Sequence, residues 1–447
     1  MDQGYSSFGT EKISKLLLKL APPVMLAQLI QALYNIVDSY FIGKYSADGL
    51  SALSVLFPLQ LLISALAIGT GVGVNTIMSR FYGLKNDKQA TETAGVGFSL
   101  SIISWFIFAV ISCGIMRVYT RNSLSSVDAQ NYAYIYGMIV CAFSFGIFLE
   151  SNWSKVLQAK GDMKTPMCAQ ILGAVTNIIF DYLLIFGIGI FPKMGVAGAA
   201  IATVLGQILA AIFVCPKGYA KIPSFKVLKT YIKPIYTAGI PNILINALCT
   251  IYIIAFNLLL VKFSDEAVTV LGLYYKLQTF FLIPVLGLTT CIVPILSFNY
   301  AANQPKRCKQ IYWYSVIIAT VLMAVGTVCF EVIPRQLLEI FAGNEEKILS
   351  IGTIALRIIG ISFVPITTSL MFPIYFQAIG MPVQSITLTV LRQIVLLVPI
   401  AWTFSFIGLN YVWISFPITE VVVSIAGFIL YIKNPIEKRY AIQNSTK

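Results

Sequence analysis

Acidic and amide side chains within long apolar runs are the residues of this sequence that could do chemistry. Asp38 shares one face of an apolar stretch with Gln28, Gln31 and Asn35. At about 100° per residue, this spacing confines the four side chains to roughly 80° of a helix. Because an ionised side chain is costly inside a lipid-embedded helix, Asp38 indicates a functional site unless it is paired or reaches the membrane surface.

A second apolar stretch repeats this pattern with Gln170, Asn177 and Asp181 on one narrow face. Two carboxylates, each with an asparagine one turn away, predict a site that binds a proton or coordinates Na⁺. The neutral amides suit a monovalent cation because they add hard oxygen ligands without adding charge. The alternative interpretation is a set of hydrogen bonds that only hold helices together.

Side chains close to these two stripes could line an adaptable substrate cavity, since methionine and aromatic groups fit varied ligands. Packing in the core or against lipid is the alternative for each of them. The predicted cavity residues are Met25, Gln28, Gln31, Tyr34, Tyr182 and, from the second half of the chain, Lys276.

The second half of the chain has a different set of charges within its apolar runs, namely Lys276, Arg357, Arg392 and Glu420. A structural salt bridge between Glu420 and one of the cations is one interpretation, and a role in transport is the other. Lys276 could also contact an anionic or zwitterionic substrate.

The composition shows what kind of elements must position these residues. Of 447 residues, 58% are hydrophobic and 11% are charged, and the mean hydropathy is +0.83. A soluble domain carries about 25% charged residues, so this composition excludes soluble enzymes, DNA-binding factors and secreted disulfide scaffolds. The absence of histidine and of any C-x-x-C pair argues against a catalytic metal centre or a redox pair.

Apolar runs of spanning length recur along the whole chain, which predicts an all-α polytopic membrane protein with twelve transmembrane helices. The first run follows Asp2 and Glu11 without an A-x-A-like site, so we expect a span and not a cleaved signal peptide. The expected helices are 13–43, 51–80, 91–117, 129–156, 165–190, 195–215, 233–262, 267–298, 309–334, 347–378, 384–406 and 410–432.

The distribution of basic residues predicts how the spans are oriented. Loops on the side of the two termini hold 21 lysines and arginines, and loops on the other side hold 7. This asymmetry places both termini in the cytoplasm and explains the net charge of +13 without a nucleic-acid partner. Five lysines in the segment 216–233 are expected to lie beside anionic membrane lipid.

An internal repeat divides the chain near its midpoint. One alignment of the two halves places Pro23 on Pro241 and the segment 44–46 on 262–264, and an offset one position longer places 158–161 on 377–380. We therefore predict two pseudo-symmetric six-helix lobes, residues 1–222 and 223–447, joined by the basic linker 216–233. Repeats of this kind are typical of secondary transporters.

Several of these segments together resemble the multidrug and toxic compound extrusion (MATE) transporters over nearly the whole chain. The segments that carry the likeness are Pro23 to Gly43, Gln158 to Asp162 with Pro166, Asn177 to Asp181, and Gly195 to Thr203. Tyr275 to Gln278 and Leu391 to Gln393 are similar to the MepA-like bacterial branch of that family.

The resemblance implies a monomeric, multi-pass protein of the bacterial cytoplasmic membrane that exports organic cations in exchange for inward H⁺ or Na⁺, without a cofactor. The family's coupling residues map onto Asp38, Asn177, Asp181 and Thr203, with Asn35 beside them. In a sodium-coupled protein Asp38, Asn177 and Asp181 would hold the ion. Because the acids found in the second lobe of one branch have no counterpart here, we expect coupling in the first lobe.

Two other classes of protein are alternatives to this interpretation. A lipid-linked oligosaccharide flippase of the wider superfamily would need a strongly cationic cavity, which Lys276, Arg357 and Arg392 keep possible. An intramembrane enzyme would need a nucleophile–base or metal constellation. The sequence contains none, so we expect no enzymatic activity.

Overall fold

The computed structural model describes residues 4–124, 126–342 and 345–437, and within these ranges all regular structure is helical. The helices of the first half are α1 (Ser6–Thr10), α2 (Ile13–Tyr45), α3 (Ala47–Gly83), α4 (Asp87–Ser123), α5 (Val127–Ala142), α6 (Phe145–Ala159), α7 (Lys164–Phe186) and α8 (Val196–Gly218).

The helices of the second half include one π-helical segment, Leu391–Leu396, between α15 and α16. They are α9 (Phe225–Leu260), α10 (Asp265–Ala301), α11 (Pro305–Val332), α12 (Pro334–Ala342), α13 (Glu346–Gly360), α14 (Phe363–Ala378), α15 (Pro382–Val390), α16 (Leu397–Ser405) and α17 (Leu409–Lys433).

Twelve spans account for the long apolar segments of the described chain, which confirms the predicted fold class. Ten are helices long and apolar enough to cross a membrane. The other two are bent pairs, α5 with α6 at 42° and α13 with α14 at 53°. Each pair was predicted as one continuous helix, since a bend between two apolar segments leaves no gap in hydropathy.

The repeat is visible in the local backbone of the two halves. The alignment that places Pro23 on Pro241 also pairs Ser46 with Ser264. Each serine caps the following helix by accepting a hydrogen bond from a backbone N–H three residues on, at 3.2 Å in both cases. The same alignment pairs Lys85 with Asn303, and both have φ = 58° just after the end of a helix. The two halves therefore share turn geometry as well as helix order.

The described helices form two compact units whose boundaries fall inside helices. The first unit contains the chain up to Thr10 and Lys19–Asn246, and the second contains Glu11–Leu18 and the chain from Ala247. The predicted division between residues 222 and 223 stays a prediction about the repeats.

Small residues bring α3 and the first part of α9 close together within the first unit. A Cβ atom at Gly73 would clash with the backbone carbonyl of Ile235, and one at Gly239 would clash with the carbonyl of Gly69. Gly69 and Gly73 are spaced as a small-xxx-small motif, which permits close approach of membrane helices. These glycines therefore act in packing.

Candidate functional site

The two intramembrane aspartates meet inside the first unit. Asp38 on α2 and Asp181 on α7 are 7% and 0% exposed, and their carboxyl groups lie close enough to share a proton. Two ionised carboxylates this close repel each other, so the pair needs a proton or another cation between its members. Oδ1 of each carboxyl is buried without a hydrogen-bond partner among the described residues, so both oxygens could bind such a cation.

Asn177 and Thr203 lie beside the Asp181 carboxyl group. In one amide orientation, Asn177 Nδ2 donates to Thr203 Oγ1 at 3.3 Å. In the reversed orientation, Nδ2 donates to Asp181 Oδ2 and the amide oxygen accepts from the Thr203 backbone N–H, both at 3.3 Å. The reversed orientation matches both neighbours. Carboxylate, amide and hydroxyl groups thus lie next to one another, and the unpartnered carboxyl oxygens of Asp38 and Asp181 are the ones that suit H⁺ or Na⁺.

Close packing of α7 against α8 produces this arrangement. A Cβ atom at Gly206 would lie 2.6 Å from the carbonyl oxygen of Gly173 and 3.3 Å from Cβ of Asn177. Only glycine permits that approach, which places the Asn177 amide opposite Thr203 one turn away. The small residue Gly206 in α8 therefore positions a side chain of the candidate site as well as packing the helices.

Tyr136 and Gln60 extend the polar group beyond the residues that the sequence identified. The Tyr136 hydroxyl on α5 accepts a hydrogen bond from Gln60 Nε2 on α3 at 2.9 Å, and it is also in hydrogen-bonding contact with Thr203. Leu56, Ile63 and Val140 line a small cavity beside this pair. Tyr136 could have been identified from the sequence as a member of the polar group, since a buried tyrosine hydroxyl usually needs a hydrogen-bond partner.

Asn35, in contrast, does not join Asp38. It is exposed, and its Nδ2 donates to the backbone carbonyl of Gln31 at 2.9 Å within α2. The predicted arrangement of one asparagine for each aspartate thus holds for Asp181 alone. A three-residue separation places Asn35 and Asp38 about 60° apart around α2, enough to put one at the surface and the other inside.

The side chains predicted to line a cavity in the first unit are partly exposed. Met25, Gln28 and Gln31 are half-buried along α2. Tyr182 is 50% exposed, and its ring centroid lies 5.9 Å from those of Phe41 and Phe186.

Tyr34 is half-buried and lies within electrostatic reach of both aspartates and of a third acid, Glu150. Glu150 on α6 is 6% exposed and accepts hydrogen bonds from Ser154 Oγ at 2.7 Å and from Gln170 Nε2 at 3.1 Å. Because Glu150 lies near the end of a predicted span, its position in the sequence did not indicate a role. Gln170, predicted as part of the second stripe, contacts this acid.

An ion pair dominates the polar interior of the second unit. Arg392 Nη2 lies 2.7 Å from Glu420 Oε1, with the arginine side chain 16% exposed and the glutamate side chain 5% exposed. Ser369 Oγ donates a hydrogen bond to the same carboxylate. Arg392 lies on the π-helical segment and Glu420 on α17. The acid of this unit is therefore compensated by a cation, unlike the aspartate pair of the first unit.

Lys276 on α10 and Arg357 on α13 are exposed, and neither takes part in the pair between Arg392 and Glu420. The charge of Arg392 is offset by Glu420, so it adds little to the strongly cationic cavity that a flippase of pyrophosphate-linked lipids would need.

Comparison with known proteins identifies the family. The MatE family model matches residues 23–183 and 241–403, more than half of the chain, and the two matches begin at the paired positions Pro23 and Pro241 of the repeat. The chain belongs to the MatE family. Members of this family are transporters of small organic compounds and not enzymes, so this chain is a multi-pass membrane transporter.

Two curated relatives and one solved structure illustrate the likeness. The chain is 26% identical over 435 residues to an FAD transporter of Shewanella oneidensis, covering 94% of both chains. It is 24% identical over 440 residues to the multidrug export protein MepA of Staphylococcus haemolyticus, covering 96% of both. A crystal structure of MATE in complex with MaL6 has a TM-score of 0.89 at 24% identity over 100% of both chains, which shows the fold.

Proposed function

We propose that this protein is an antiporter that exports organic cations in exchange for inward H⁺ or Na⁺ by alternating access. Membership of the MatE family and similarity to multidrug export proteins support the export of drugs. The single observation that carries the coupling mechanism is the contact between the Asp38 and Asp181 carboxyl groups, both buried in the first unit.

The coupling step follows from the electrostatics of this pair. An ion that enters from outside binds between the two carboxyl groups and removes their mutual repulsion. Loss of the ion restores the repulsion, which favours a different arrangement of α2 against α7. Pro22 and Pro23 within α2 provide a place where that helix can bend, because each proline removes a backbone hydrogen bond. The bound ion then either competes with the cationic drug or changes the bend of α2, and either effect drives release outward.

The setting of the protein is part of the same proposal. We infer a bacterial cytoplasmic membrane, with both termini in the cytoplasm, from the excess of basic residues in the loops on the terminal side. The protein would work as a monomer among membrane lipids, without a cofactor or a nucleic-acid partner.

Transport of ethidium into reconstituted vesicles tests the proposal. An imposed pH gradient and an imposed Na⁺ gradient are applied separately to the same preparation, and the one that drives transport identifies the ion. Asp38→Asn keeps the size of the side chain but removes a carboxylate from the pair, so gradient-driven transport should fall at least about tenfold.

Asp128→Asn is the matched control, because Asp128 is exposed at the start of α5 and the same chemical change there removes no site carboxylate. Gradient-driven transport by Asp38→Asn at the rate of wild type would rule out Asp38 as a coupling residue. If neither gradient drives transport by the wild-type protein, antiport itself is excluded.

A further inference from the structure

The side chain of Arg392 is fixed by hydrogen bonds to a buried acid, Glu420. Its Nε donates to Oε1 and Oε2 of Glu420, both at 3.0 Å, and its Nη2 donates to Oε1 at 2.7 Å. Ser369 Oγ donates to the same carboxylate from α14. The position and plane of the guanidinium are therefore fixed before any ligand arrives.

The Nη1 end of the guanidinium takes no part in the ion pair. None of its three bonds to Glu420 uses Nη1, and guanidinium nitrogens carry five N–H donors in a planar fork. Cys249, Tyr252 and Tyr275 lie within electrostatic reach of Arg392, and all three are partly exposed, whereas Glu420 and Ser369 are buried. The residues of the cluster that hold the guanidinium are thus buried, whereas the neighbouring tyrosines and Cys249 are partly exposed.

Two aromatic rings belong to the partly exposed part of the cluster. The rings of Tyr252 on α9 and Tyr275 on α10 meet edge to face, with centroids 6.3 Å apart. Such a pair offers ring surface to a neighbouring aromatic molecule. An aromatic compound could therefore contact the tyrosines while a polar group on it reaches Arg392.

The backbone at Arg392 is itself unusual. Residues Leu391–Leu396 form a π-helix, in which the N–H of Leu397 bonds to the carbonyl of Arg392 five residues earlier. Short π-helical stretches are rare and occur frequently at functional sites. A purely structural salt bridge needs no such deviation, since arginine reaches a neighbouring helix from a regular one.

We propose that Arg392, Glu420, Ser369, Tyr252 and Tyr275, here called the Arg392 cluster, form a subsite for the carboxylate of an aromatic substrate. This inference rests on the proposed export function and adds a preference among its substrates. A carboxylate matches the planar fork of arginine. Since Glu420 already offsets the charge of Arg392, the cluster suits one singly charged group and disfavours a diphosphate.

Two dyes that differ only in this group provide the test. Rhodamine 110 has a free carboxylate, and rhodamine 123 is its methyl ester with the same aromatic cation. Transport of each is measured in vesicles with wild-type protein and with the double variant Arg392→Gln, Glu420→Gln, which removes the fork and leaves no unpaired buried charge. The double variant should raise KM for rhodamine 110 about tenfold or more and leave KM for rhodamine 123 unchanged.

Arg357→Gln is the matched control, because it removes an exposed arginine of the same unit and should alter neither dye. Arg392→Lys keeps the positive charge but loses the fork, so it should give a smaller loss for rhodamine 110 alone. If the double variant does not fold, Arg392→Lys alone tests the carboxylate subsite.

The subsite proposal would be overturned if the double variant and Arg392→Lys changed transport of both dyes equally, or changed transport of neither. Failure of wild-type protein to carry the ester would instead count against cation export, so the two proposals can be told apart.

Discussion

The packing of α7 against α8 predicts how much stability the variant Gly206→Ala should lose. In Gly206→Ala the new Cβ would lie 2.6 Å from the carbonyl oxygen of Gly173, whereas ordinary contacts of this kind begin at 3.4 Å. Because the obstacle is backbone, the helices must separate locally by about 0.8 Å, and overpacking of this kind costs about 1–3 kcal/mol. The 3.3 Å contacts between Asn177 and Thr203 would then lengthen beyond hydrogen-bonding distance.

Thermal unfolding in detergent and ion-driven transport are the two measurements for this variant. Gly206→Ala should unfold at a lower temperature than wild type and should also transport more slowly at saturating substrate. Gly114→Ala is the control, since a Cβ on that helical glycine would meet nothing within 4 Å. Replacing a glycine inside a helix by alanine is otherwise stabilising by roughly 0.5–1 kcal/mol, so the control should be neutral or slightly more stable. Equal stability of both variants would refute the argument that α7 and α8 are in limiting contact.

Two further predictions concern charged groups elsewhere in the described chain. Glu150→Leu should destabilise the protein by about 1–3 kcal/mol for each donor left unpaired on Ser154 and Gln170, whereas Glu150→Gln should retain most of the stability; equal unfolding temperatures for the two variants would contradict this. Glu437, beyond the last span, lies 2.7 Å from Lys309, and this contact lowers the pKa of its carboxyl. The contribution of the pair should therefore be present above the ordinary pKa of glutamate and disappear as the pH falls through the lowered value. Because both side chains are at least 40% exposed, Glu437→Gln should cost at most about 0.2–1 kcal/mol at pH 7, and a larger loss or one that persists in acid would be inconsistent.

Hydropathy alone predicted the helix count because lipid requires about 20 apolar residues for each span. It predicted the ends of spans to within a few residues where a capping serine or a glycine marks them, as at Ser46 and Ser264. The bends between α5 and α6 and between α13 and α14 were missed. A bend changes the direction of a helix without changing its polarity, so the pattern of apolar residues carries no trace of it.

The aspartates could be selected from sequence because an acid in an apolar run is rare and costly. Their partners were harder to identify, because helical periodicity says which residues share a face but not what that face meets. Asn35 therefore appeared to be a ligand and lies at the surface, whereas Tyr136 lies inside the polar group. The contact between Arg392 and Glu420 joins residues 28 positions apart, and only packing of the π-helical segment against α17 brings them together.

The two repeats share turn geometry but differ in their buried charged residues, and this difference favours the first repeat for the proposed ion coupling. The alignment that pairs Ser46 with Ser264 also places Asp38 on Phe256, and the alignment of 158–161 with 377–380 places Asp181 on Ile400. Phe256 is buried and packs 5.1 Å from Phe416, centroid to centroid, so an apolar contact replaces the carboxylate.

In the other direction, the alignment of 158–161 with 377–380 places Arg392 on Gly173, the residue whose small size lets α7 approach α8. The same position thus supports close packing in one repeat and carries a cation in the other. Since a carboxyl pair without a neighbouring cation attracts a cation more strongly than a carboxylate already paired with arginine, the two proposals place cation coupling in the first unit and carboxylate recognition in the second. If an ion gradient still drove transport after both Asp38 and Asp181 were replaced by asparagine, this division of roles would be wrong.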